Sequence, residues 1–392
     1  YGISPGFKWL RFHAGYRSMT FSNYTLNGVV FLGGGIEINP GKLRFACMYG
    51  RLNRAVAEDT ISTSQSFASF RRTGAGIKLG LGTSKSYLDL IYFQASDDQN
   101  SIPYIPIKNN LKPEENKVFG LNQRLGIGAL FIENDAALSV YTRDLRDALT
   151  PIQTDFKILD NIGNWLQPKI STQFSTAFHS AVGVQLKRVQ FRLQYKRLSP
   201  NYRSLGTYYI PGDMQQVTAS PSFLLFKNKL RIAFSVGIQT DNVTRIKYNT
   251  TKRNIGAINI SLTPNQNVIT DIAINNFGTT QTPGLYPVVD SLKQYQVTSS
   301  INISQRFGKT TKTFSRNLMI NIAYQSFSDY NTLSRIYLQN TVYTGSFNYN
   351  YSLLAKKMSI GAGFMGNKII GEGFSAIQVG PTINLNKTFL KN

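Results

Sequence analysis

Three scarcities narrow the reading of this chain before any pattern is sought. There is one cysteine, Cys47, among 392 residues, so no internal disulfide framework can form. No run approaches the roughly 20 consecutive apolar residues that a membrane-crossing helix needs, which excludes a helical membrane protein. Barrels stay open, because a barrel strand shows only every second residue to lipid. Histidine is scarce as well, with only His13 and His179. His179 and Ser180 are consecutive and point to opposite faces of a strand, while His13 has no carboxylate near it in sequence. A Ser–His–acid constellation is therefore not visible, and the chain is expected not to be an enzyme. No cluster of His, Cys, Asp and Glu suggests a metal, and no cofactor is expected. The glycine runs Gly33-Gly34-Gly35 and Gly74-Ala75-Gly76 lack the helix and spacing of a nucleotide loop, and are expected to be strand glycines.

Acidic residues are few. Forty-three Lys and Arg against twenty Asp and Glu give a net charge of +23 and a pI near 10. Such a balance raises nucleic-acid binding. Here the cations are spread over strands, turns and loops, and the aromatics sit with the aliphatics, away from them. That placement suits a pore lining, or rims facing anionic lipid headgroups, and no nucleic-acid partner is expected. The opening Tyr1–Pro5 lies close to the first strand. A removed leader or further upstream chain is the expectation there.

What is abundant is Tyr (21), Phe (25) and Gly (32), arranged with a period of two. In Val182–Arg197, Val182, Val184 and Leu186 alternate with Gly183, Gln185 and Lys187. Val189, Phe191, Leu193 and Tyr195 then alternate with Gln190, Arg192, Gln194 and Lys196. A two-residue turn at Lys187-Arg188 puts both apolar sets on one face. The same pattern recurs from Phe7 to Leu385, including a strand Val118–Ile132 that is expected to turn at Asn134-Asp135. The total is about 18 strands, in a range of roughly 16 to 20. Connections at 39–42, 83–86, 134–136, 187–188, 227–229, 264–267 and 354–357 are short. Those at 18–27, 55–70, 98–117, 148–173, 199–213, 242–253 and 278–291 are long and polar.

This alternation predicts an all-β fold: a single transmembrane antiparallel up-and-down β-barrel over 1–392, with short periplasmic turns and long extracellular loops. Aromatic girdles are expected at Trp9, Tyr16, Tyr49, Tyr141, Tyr195, Tyr324, Tyr349 and Tyr351. The opposite parity assigns Arg44, Arg124, Gln185, Gln190, Arg192, Lys196, Arg231, Asp271 and Arg306 to the lumen wall. An interior that wide must hold water, an inward loop or another polypeptide. Loops 98–117 and 148–173 are the candidates for a constriction or an extracellular cap, the second with a short amphipathic helix near Asp155–Leu159.

The segments SPGFKWLRFHAGYRSMTFSNYTLNG and GKLRFACMYGRLNRAV resemble large outer-membrane barrels of the Bacteroidota, a likeness covering mainly residues 1–54. It implies the outer membrane of a diderm cell and makes a longer precursor plausible. Outer-membrane lipids, including lipopolysaccharide, and other envelope proteins are the expected partners. Two functions follow. One is a porin-like pore for small polar or anionic solutes. The other is a non-conducting barrel subunit of a larger secretion, assembly or surface-attachment complex.

Overall fold

A computed structural model of the chain describes residues 1–58, 68–103, 111–150, 166–284, 293–331 and 339–388. It divides into two compact units. Unit 1 comprises Tyr1–Val182 and Tyr195–Met214, and unit 2 comprises Gly183–Gln194 and Gln215–Asn392.

Unit 1 opens with two short strands, β1 (Gly2–Ile3) and β2 (Gly6–Phe7). The long strands follow: β3 (Leu10–Thr20), β4 (Asn27–Ile38), β5 (Leu43–Asn53), β6 (Arg71–Gly82), β7 (Tyr87–Asp98), β8 (Glu115–Ile127) and β9 (Leu130–Thr142). β10 (Thr172–Gln185) and β11 (Val189–Leu198) begin and end the hairpin that straddles the division. From β3 to β9 each strand pairs antiparallel with the next. β1 and β2 pair with β3. The expected turn at Asn134-Asp135 is wrong. β8 and β9 turn at Gly128-Ala129, with Ile127 opposite Leu130 and Gly128 at a φ of +62°. A two-residue hairpin needs positive φ there, so Gly128 is a turn residue and Asp135 lies inside β9.

Unit 2 contains β12 (Met214–Leu225, from its second residue), β13 (Leu230–Asp241), β14 (Asn249–Asn265), β15 (Val268–Pro283) and β16 (Gln294–Thr310). It continues through β17 (Phe314–Asp329), β18 (Asn340–Leu353), β19 (Met358–Gly371) and β20 (Phe374–Lys387). β13 to β20 also pair antiparallel in chain order. The tip of the β10–β11 hairpin closes as expected, Leu186 N–H donating to the Val189 carbonyl at 2.9 Å.

Among the described residues the eighteen strands β3–β20 are each ten residues or longer, the length a tilted membrane strand requires. Short and long connections alternate within each unit, except that β19 and β20 join through Glu372-Gly373 on the long-loop end. No helix of the described residues is long and apolar enough to cross a membrane. The fold class is all-β, with the up-and-down antiparallel strand architecture of membrane β-barrels.

One face of these strands is apolar and exposed. Leu79, Leu81, Leu88, Leu90, Leu125, Ile127, Leu130 and Ile132 form such a surface in unit 1. Ile274, Ile301, Ile303, Ile322, Phe347, Ile360 and Phe364 do so in unit 2. On a water-soluble protein a continuous apolar patch of this extent is rare.

Candidate functional site

The face opposite the exposed leucines of unit 1 is not an open lumen. It is filled by two loops that fold onto it, residues 21–26 after β3 and residues 199–213 after β11. Phe21, Tyr24, Leu26, Tyr202 and Leu205 join Phe31, Met48, Ile91, Phe93 and Val118 in one buried apolar cluster. Tyr24 and Tyr202 meet edge-on at 6.1 Å, and the Tyr202 hydroxyl donates to the Tyr24 carbonyl at 2.6 Å. Burial first, then the charge of Asp135, raises both phenols well above their ordinary values, so Tyr202 remains a donor. Gly206 passes so close to β7 that a Cβ there would lie 2.6 Å from the Thr25 carbonyl and 2.7 Å from the Phe93 ring.

Polar side chains of the strands hold the loops by their backbone. Asn116 accepts from Leu205 N–H at 3.0 Å, and donates to the Ser139 hydroxyl at 2.8 Å. Ser139 in turn donates to the Arg203 carbonyl at 2.6 Å. Asp135 accepts from Asn23 N–H at 3.0 Å. At the long-loop end Arg72 forks onto Asp97 at 2.7 and 2.8 Å and reaches Glu114 at 2.8 Å. Glu114 also receives Arg203 at 3.1 Å and the Tyr141 hydroxyl at 2.6 Å. Toward the short-turn end Arg44 forks onto Asp89 at 2.7 and 2.8 Å and stacks on Tyr87, while Arg124 pairs with Glu133 at 2.5 Å.

The residues singled out in the sequence take the following places. Arg44 and Arg124 lie on the face opposite the exposed leucines, but Arg44 is engaged by Asp89 two strands away, across β6, and Arg124 by Glu133 of the next strand. Lys196 is on it too, its ammonium 6.0 Å from the Tyr24 ring centre. Tyr141 is a correction. It shares parity with Glu133, Asp135 and Ser139, is buried, and belongs to the core rather than to a girdle. Trp9, Tyr16 and Tyr49 are exposed on the apolar side of unit 1, and Tyr195 packs on Phe178 there. Of the expected plug 98–117, residues 104–110 lie outside the described residues, as do 151–165 of 148–173, including Asp155–Leu159. The filling found belongs to the two other loops. Its sequence signal is the apolar residues Phe31, Ile91, Phe93 and Val118 on an otherwise polar parity.

The long connection after β9 carries its own clasp. Arg146 forks onto Asp144 at 2.8 and 2.9 Å. That hydrogen bonding holds the Asp144 carboxyl below its ordinary range. With the folded value depressed, the contribution to stability is present above the unfolded value and is lost as pH falls through the folded one. Carboxyl NMR titration is expected to find Asp144 below the usual aspartate value of about 3.9, with Arg146→Gln moving it back up.

In unit 2 the corresponding face is a ladder of amides and hydroxyls. Register aligns Ser235, Ala257 and Asn275 with Ser300 and Gln325, and Asn321 with Ser346 and Met365. Asn275 donates to Ser300 and Asn321 to Ser346, both at 3.2 Å. Gly361 makes room for neighbouring amides, since a Cβ there would meet Asn350 Oδ1 at 2.0 Å and Asn384 Oδ1 at 2.4 Å. Arg231, Asp271 and Arg306 share this parity near the short-turn end. In the hairpin tip Gln185, Gln190 and Arg192 alternate with exposed Leu186, Val189, Phe191 and Leu193. Tyr349 and Tyr351 lie on the apolar side near the short turns, and Tyr324, toward the long loops, packs on Tyr343. At the long-loop end a cavity of about 640 Å³ is lined by Thr240, Asp241, Asn242, Arg245 and Tyr248 among others. Asn242 holds its loop by three hydrogen bonds of 2.9 Å.

No family model and no curated protein matches the chain. Among solved structures it is similar to a "Bacterial polysaccharide outer membrane secretin", with 9% identity and a TM-score of 0.35, over 89% of this chain and 98% of that one. A likeness this slight gives no residue correspondence, and the functional reading rests on the chain's own side chains.

Proposed function

We propose that this chain is an outer-membrane β-barrel protein whose unit 2 offers small polar solutes a path along its amide-and-hydroxyl face. The carrying observation is the two-sidedness of long strands, with exposed isoleucine, leucine and aromatic residues on one face and Asn, Ser, Thr, Gln and Gly on the other. Lipid takes the first face and water the second. Neutral hydrogen-bonding groups line the second over most of its length, and the cations Arg231 and Arg306 share it with Asp271 near the short-turn end. Neutral hydroxylated solutes therefore suit the path better than anions, whose selection needs uncompensated positive charge.

The second reading, a non-conducting subunit of a larger envelope complex, is favoured by the filled interior of unit 1. Purified protein in a planar bilayer and in sugar-loaded liposomes separates the two. The pore reading expects stable conductance with weak ion selectivity and swelling by small neutral sugars. No conductance above leak would overturn it in favour of the second reading. Strong anion selectivity removed by Arg192→Gln and Arg231→Gln would overturn the preference for neutral solutes.

A further inference from the structure

His13 carries chemistry that neither the barrel nor its filling uses. Its ring lies on β3 with the side chain only 7% exposed. Ser4 Oγ is 2.9 Å from Nδ1, and Glu37 Oε1 is 3.3 Å from Nε2. Register produces the grouping. β1 and β2 flank Ser4 and pair with β3 on either side of His13, with Ile3 opposite Ala14 and Gly6 opposite Arg11. Phe12 N–H fixes the next residue by donating to the Pro5 carbonyl at 3.0 Å. On the other side β4 sets Gly35 opposite His13, and Glu37 follows two residues later on the same face.

With Nε2–H donating to the Glu37 carboxylate, the lone pair of Nδ1 faces the serine hydroxyl. Nucleophile, base and orienting acid then stand in line. The ring nitrogens have exchanged the places they hold in most such sites, which leaves the proton transfer unchanged because either nitrogen can be the base. Ser4 is exposed while His13 is buried, so a substrate reaches the hydroxyl without displacing the base. Positive charge stands close by. Arg17 donates to the Gly2 carbonyl, and Arg11 shares the His13 face.

We propose that Ser4, His13 and Glu37 form a hydrolytic site for carboxylic esters. Ser4 Oγ bonds to the ester carbonyl carbon as its proton passes to His13 Nδ1. The tetrahedral oxyanion collapses, the bond to the alcohol oxygen breaks, and Nδ1–H protonates the leaving alcohol. Water then attacks the acyl-serine with His13 again as base, releasing the carboxylic acid and restoring the Ser4 hydroxyl. Glu37 is a positioning residue that touches only the imidazole.

The test treats the full-length protein in detergent micelles with a fluorophosphonate probe, maps the adduct by mass spectrometry, and follows hydrolysis of p-nitrophenyl octanoate. The expected result is one phosphonylated residue, Ser4, and turnover lost in Ser4→Ala. His13→Ala should slow labelling by about 100-fold or more. Glu37→Gln should slow it too, and Glu37→Asp should restore it. Variants that retain the wild-type melting temperature keep the comparison free of misfolding. Absence of an adduct on Ser4, or equal turnover in Ser4→Ala, overturns the proposal. A melting temperature lowered by His13→Ala with no labelling of Ser4 in the wild type overturns it as well, and identifies the trio as a structural clip.

Discussion

Replacing Tyr202 with alanine is expected to lower the stability of the detergent-solubilised protein by about 3–5 kcal/mol, the usual cost of truncating a buried aromatic. The ring is 4% exposed, packs edge-on against Tyr24 and sits in the same cluster as Leu26, Phe31 and Phe93. Its removal leaves a void bounded by strands that cannot close over it, because β4, β7 and β8 are fixed by their ladders. Tyr202→Phe keeps the ring and loses only the donor to the Tyr24 carbonyl, for about 1–2 kcal/mol. Denaturant titration gives both values. Hydrogen exchange of the 199–213 amides should rise sharply in the alanine variant and little in phenylalanine. An alanine variant as stable as the wild type would mean that this loop does not rest on the strands in solution.

Asp89→Ala carries the second large effect, about 3–5 kcal/mol. The carboxylate side chain is 2% exposed and receives both arms of the Arg44 fork, and it lies near Lys78. Without it Arg44 and Lys78 stand close together as like charges, with Glu37 the remaining carboxylate acting on Lys78. The double variant Arg44→Met with Asp89→Leu should recover most of the loss, since a buried ion pair contributes little beyond an apolar pair of similar volume. Equal losses in the single and double variants would show that the cost came from packing and not from the stranded charge.

Much of the architecture was readable from residue order. Alternation in Val182–Arg197 gave the hairpin turn at Lys187-Arg188 and the parity of Phe191 and Arg192, because a strand's side chains repeat every two residues whatever surrounds it. The same rule placed Tyr16, Tyr49, Tyr324, Tyr349 and Tyr351 on the apolar side. It failed at β8–β9, where Asn134-Asp135 looked like a turn by composition. Gly128 supplied the positive φ, and the register from Ile127–Leu130 onward carried Asp135 into the strand. Tyr141 was misplaced with it, since an aromatic near a strand end suits a lipid interface or a core equally well.

What residue order determined is local: strand content, face, and the alternation of short and long connections. Tertiary structure alone decided what meets on those faces. Residues 21–26 and 199–213 looked like two more polar loops, yet they bring Tyr24 and Tyr202 together from positions 178 residues apart between the hydrogen-bonded pair. Arg44 looked like a pore cation until Asp89, 45 residues on, was found beside it. His13 had no acid within reach along the chain, and β4 delivered Glu37 across the ladder. The physical reason is common to all three. A period of two fixes the direction of a side chain, but its partner is fixed by register and by loop path, and neither is encoded within the strand that carries it.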